Sequence, residues 1–238
     1  MENGNIPVAP IVLALFLIVA FLLFLGMMGL FVFLITRAIK RRSYDTNRGN
    51  EMRLLAAQMS FSFRPQAELS SFPLFAQFEL FEGTPLRFEN LMGGAINDYS
   101  VHVFDLAYRN IGGTGSGTTT SRQTVYGVSS NHLDLPEFYL RPEGMMERVL
   151  NTVSQVDIDF GERPGFSSKM LLYGKDEAAI RRSFTGPVFD FFEQNPYLCV
   201  FGKGDHLFYD QSRTLTPVNM VRQNVMFLPN LVNLFRSR

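Results

Sequence analysis

The sequence predicts an α+β protein, an N-terminal transmembrane helix followed by a mainly antiparallel sheet covered by helices. Three observations predict it. The run Val8 to Ile35 is apolar and free of charge over about 28 positions; at ~1.5 Å per residue it exceeds the ~30 Å hydrocarbon core of a bilayer. Between Pro85 and Ser130 apolar residues alternate with period two between turn residues. In the second half apolar spacing turns helical and ends in one long stripe.

Taken in order, the transmembrane helix is expected over residues 8–36. A buried soluble helix would carry a polar face, and a cleaved leader would need basic residues before Pro7, which are absent. Residues 37–50 form a basic juxtamembrane linker. Arg37, Lys40, Arg41 and Arg42, with Arg48, crowd that side, whereas Glu2 is the only charged side chain ahead of the run. The positive-inside rule then places the N-terminus outside and the following domain in the cytoplasm. The same four cations suit anionic headgroups.

The domain, 51–238, opens with Met52, Leu55 and Met59 at helical spacing, then Phe61 and Phe63 in alternation. Phe72 to Phe81 is apolar but irregular, a buried loop or short helix. Leu86 to Ile96 and Tyr99 to Ile111 read as strands joined at Asn97 and Asp98; a Gly, Ser and Thr stretch, Gly112 to Thr120, leads into a third strand over Gln123 to Val128. This is an antiparallel meander with a long tip. Phe138 to Leu140 adds a strand ended by Pro142.

Met146, Val149, Leu150 and Val153 mark a helix, Val156 to Phe160 and Ser168 to Tyr173 strands, and Asp176 to Phe184 a helix with acids first and Arg181 and Arg182 last, as the helix dipole favours. Thr185 and Pro187 start another helix, stopped at Asn195 and Pro196. Tyr197 to Phe201 and His206 to Tyr209 form a hairpin around Gly202 to Asp205. The last helix repeats Val218, Val221, Val225, Leu228, Val232 and Phe235, with Pro229 inside it. A half-barrel of the pleckstrin-homology kind is the alternative fold, because hairpins ending in an amphipathic helix would suit it.

Composition narrows the function. The formal net charge is zero, with no basic stripe and no acidic tail, so nucleic acid is not expected as a partner. One cysteine, Cys199, allows neither an internal disulfide nor a cysteine-rich zinc site. With 24 phenylalanines and no tryptophan, phenylalanine is expected to fill the core.

Chemistry-bearing patterns are sparse. Gly113, Gly115 and Gly117 lack the lysine and helix of a phosphate loop. Asp157 and Asp159, with Glu162 near, offer a carboxylate pair for Mg²⁺ or Ca²⁺, yet Val156, Ile158 and Phe160 take the alternate positions of a half-buried strand. His102, His132 and His206 fall in separate elements, and Asp205, His206 and Ser183 make no recognisable hydrolase motif. Arg141 and Glu143 flank Pro142 at a strand-to-helix junction, where fixed charges serve ion pairing or helix capping.

The blocks Leu135 to Glu143, Asp157 to Phe160 and Leu172 to Arg181 together resemble those of bacterial membrane-anchored proteins of unknown function. That resemblance implies a bacterial inner-membrane setting and an α+β soluble part, and supplies no catalytic residue. The reading is a single-pass, non-enzymatic binding or scaffold module at the cytoplasmic face. Its binding candidates are Arg141, Glu143, Asp157 and Asp159; its expected partners are the lipid bilayer and a further protein or anionic lipid, with no cofactor and no metal. The alternative is a membrane-bound, metal-assisted enzyme built on Asp157 and Asp159.

Overall fold

The computed structural model describes residues 8–68, 86–110, 119–144, 157–211 and 214–236. The chain divides into two compact units, Met1–Arg48 and Gly49–Arg238. Helix α1 (Val8–Gln58) belongs to both. It runs through the basic stretch, so residues 37–50 are helical. Within α1 there is no proline after Pro10 and no glycine between Gly29 and Gly49, so the backbone meets no strong helix breaker there.

In the first unit the described large apolar side chains of α1 are exposed, among them Phe16, Leu23 and Phe31. Among the described residues no helix is long and apolar enough to cross a membrane.

The second unit is built on an eight-stranded, wholly antiparallel sheet, so the α+β class holds. Its strands are β1 (Ser62–Ala67), β2 (Leu86–Ile96), β3 (Tyr99–Asn110), β4 (Thr119–Ser129), β5 (Leu135–Pro142), β6 (Met170–Tyr173), β7 (Leu198–Gly204) and β8 (His206–Gln211), in the order β1-β2-β3-β4-β8-β7-β5-β6. The helices are α2 (Pro164–Ser167), α3 (Glu177–Ser183), α4 (Gly186–Gln194) and α5 (Val218–Phe235). The meander β2-β3-β4 forms as read. Hairpin β7-β8 lies beside β4 and carries β5 and β6 beyond it, so the sheet is not the succession of neighbouring hairpins that a half-barrel would need.

Two local readings differ. Of the strand expected over Val156 to Phe160, the described residues Asp157 to Phe160 form one bridge, Asp157 to Tyr173, with Ile158 N–H donating to Leu172 O. Pro164 caps that stretch by starting α2, since proline suits the first helical turn. The β7-β8 turn is tighter than expected. Lys203 still pairs with His206, and Gly204 takes a φ of +57° that glycine adopts without strain. The expected element over Phe72 to Phe81 and the helix from Met146 to Val153 lie outside the described residues, as does the expected tip Gly112 to Thr120 except for Thr119 and Thr120, which open β4.

Strand alternation builds two apolar faces. Val101, Val103, Tyr126, Leu140, Val200 and Tyr209 lie on one, packed with Met52, Leu55 and Ala56 of α1, Val188 and Phe192 of α4 and the α5 stripe. Phenylalanine fills this core: Phe160, Phe166 and Phe189 meet edge to face, with centroids 4.7 and 5.0 Å from that of Phe189. Phe104, Leu106, Val125, Cys199, Phe201 and Phe208 form the other face. Cys199 is fully buried there, as a small apolar side chain.

Two polar networks tie these layers. Tyr209 stacks on Tyr126 and donates its hydroxyl to Asn224 O at 2.7 Å, while Asn224 Nδ2 donates to the Tyr126 hydroxyl at 3.1 Å. Burial pushes the Tyr209 hydroxyl far above its ordinary pKa. At the other end Asp105 accepts from Thr124 Oγ1 at 2.9 Å and from Asn90 Nδ2 at 2.8 Å. Asn90 sits at positive φ in the β2 bulge, which aims its amide at this carboxylate.

Candidate functional site

The four binding candidates meet at the β5-β6 edge only in part. Arg141 is buried in β5, opposite Leu171 of β6, and its Nη2 donates to the Tyr173 hydroxyl at 3.0 Å. The guanidinium also lies 5.4 Å from the centroid of the Tyr173 ring, a cation–π contact. Asp157 bridges to that same Tyr173, and its Oδ1 accepts from Leu172 N–H at 2.8 Å. Half-burial raises the Asp157 pKa; the Leu172 N–H opposes that, the Asp159 charge adds to it, and Arg141 draws it back.

Asp159 and Glu143 stand apart from this contact. Asp159 is exposed, and its backbone carbonyl accepts from Arg181 Nη2 at 2.8 Å. Glu143 is exposed while its N–H donates to Lys169 O at 2.7 Å. Among the described residues no group of three His, Cys, Asp or Glu side chains is placed to hold a metal ion. Asp157 and Asp159 therefore lack a described third ligand. The arrangement of Arg141, Tyr173 and Asp157 secures the sheet edge.

Of the cations expected at a membrane surface, Arg37 is exposed on α1; the side chains of Lys40, Arg41 and Arg42 are outside those described. The histidines do not converge on a catalytic set. His102 is buried enough on β3 that its pKa falls, with the His206 charge acting in the same direction. His206 pairs with Asp205 and stacks on Phe208. His132 Nε2 meets Asp98 Oδ2 at 2.9 Å, and Arg236 Nη2 lies 3.4 Å from its Nδ1. The His132 contact holds the Asp98 carboxyl below its usual range.

A larger feature escaped the sequence reading. A cleft of about 1170 Å³ opens between the start of β5, helix α3, the start of α4 and the end of α5. Leu135, Pro136, Ala179, Pro187, Leu234 and Phe235 supply apolar wall. Several polar neighbours are already engaged: Glu137 Oε2 pairs with Lys203 Nζ at 2.8 Å, Asp176 caps α3 by accepting from Ala179 N–H, and Ser183 donates to Ala179 O. Asn230 and Asn233, three residues apart on α5 and outside its apolar stripe, were the visible signal. Spacing alone could not reveal that α3 and β5 would face them.

No family model matches the chain, and no curated protein matches it. A solved structure does: the mycobacterial trehalose monomycolate transport factor A, TtfA, aligns with a TM-score of 0.54 at 14% identity, over 79% of this chain and 94% of that one. At that identity the likeness shows a shared fold.

Proposed function

We propose that this chain is a single-pass, membrane-anchored binding or scaffold module without enzymatic activity, its second unit lying at the cytoplasmic face of a bacterial inner membrane. One observation carries the reading: α1 exposes large apolar side chains from Phe16 to Ile35, with Leu23 71% and Phe16 68% exposed. A soluble monomer rarely leaves so much contiguous apolar surface in water. A bilayer covers it at no cost in backbone hydrogen bonds, because the helix satisfies its own.

The one-sided cations Arg37, Lys40, Arg41 and Arg42 support the N-out, C-in orientation and a contact with anionic lipid. The fold likeness supports a transport-related role, since the similar structure is that of a transport factor. An absence of enzymatic chemistry agrees with the engaged state of Arg141 and Asp157 described above. A reporter active only in the cytoplasm, fused after Arg238, is expected to be active, with the fusion staying in the membrane pellet after alkaline extraction. Activity confined to a periplasmic reporter would reverse the orientation. Release into the supernatant would remove the anchor.

A further inference from the structure

We infer that the cleft between β5, α3, α4 and α5 is a binding site for a neutral, hydroxyl-rich ligand of pyranoside type. The inference deepens the reading of the second unit as a binding module and rests on it. Five polar side chains of the lining, Asp134, Arg182, Thr185, Asn230 and Asn233, are exposed. They make no hydrogen bond or ion pair among the described residues, unlike the engaged Glu137, Asp176 and Ser183. Their hydrogen-bonding capacity is therefore open to a ligand.

The chemistry of that ligand follows from the balance of the set. Arg182 only donates, Asp134 only accepts, and the two amides and the hydroxyl do both. Around the whole cleft Lys175, Arg182 and Arg236 are matched by Asp134, Glu137 and Asp176. An anion entering would meet three carboxylates and a cation three positive groups, so neither sign is favoured. Hydroxyl groups, each a donor and an acceptor, suit such a lining without bringing a charge to be desolvated. Pro136, Pro187 and Leu234 give flat apolar wall for the C–H face of a sugar ring. The volume, about 1170 Å³, exceeds what a single small ligand needs.

The test uses the full chain incorporated in nanodiscs of phosphatidylethanolamine and phosphatidylglycerol, with saturation-transfer NMR on added maltose. Maltose protons are expected to be saturated, and the Asn230→Ala, Asn233→Ala double variant to cut that transfer at least threefold. Ala179→Arg, which fills the cleft from α3, should do the same, while Gln223→Ala, outside the lining, leaves it unchanged. Two independent cleft variants keep the test decisive if one fails to fold. The inference is overturned if maltose shows no saturation, if both cleft variants bind as the parent does, or if inorganic phosphate or choline displaces maltose. Retention of the chain in the discs is read on the same samples. Loss of retention with maltose still bound would sink the anchor alone; retention without maltose binding would sink the cleft assignment alone.

Discussion

Asp157 and His102 are each drawn partly out of water, and each is shifted toward its neutral form. Their effects on stability run in opposite directions with pH. For Asp157 the folded pKa lies above the ordinary 3.8, so its favourable contribution is complete below that value and is lost as pH rises through the folded one. For His102 the folded pKa lies below the ordinary 6.5; its contribution is complete above 6.5 and is lost as pH falls through the folded value. Denaturant midpoints measured from about pH 7 down to about pH 5 should therefore drop less for His102→Gln than for the parent. Asp157→Asn keeps an oxygen to accept from Leu172 N–H, and should gain on the parent as pH rises above 3.8. Parallel pH profiles for parent and variants would show that neither group couples its charge to folding.

At the scale of the element, the β5-β6 edge depends on Arg141 far more than on Glu143. Arg141 is buried, bonded to the Tyr173 hydroxyl and laid against its ring, whereas Glu143 contributes to the edge through its backbone N–H. Arg141→Ala should cost about 1–3 kcal/mol, the range for a charged hydrogen bond with its packing. Glu143→Ala should stay within about 0.5 kcal/mol, as exposed substitutions do. Equal losses in urea denaturation would mean that the Glu143 side chain holds the edge in a way its exposure does not suggest. Helix α5 is bound by a different device. Its buried Asn224 joins Tyr126 of β4 and Gln211 of β8 through its side-chain amide and Tyr209 through its backbone carbonyl, so one residue fixes the rotation of the helix over two strands.

For the whole molecule, the division at Arg48 and Gly49 separates an apolar-surfaced helix from a unit with its own core. Residues 49–238 alone should be soluble and unfold in one cooperative transition, because Met52, Leu55 and Ala56 stay with the sheet they cover. Aggregation of that fragment on expression would show that the unit needs the preceding helix to hide apolar surface. The apolar run, the meander from Leu86 to Val128, the α5 stripe and the α+β class were legible in the sequence, since period and turn residues are local signals. Val156 to Phe160 misled because its alternation was produced by Ile158 and Phe160 entering the phenylalanine core, with only Asp157 bridging the sheet. The placement of β8 beside β4, the Arg141 contact with Tyr173 and the cleft under α3 and α5 are pairings between residues distant along the chain. By itself the sequence determined which segments are apolar, which alternate and where charge gathers. Only the tertiary structure decided which of those segments became neighbours, because many strand orders bury the same residues and the choice among them rests on packing that no local pattern encodes.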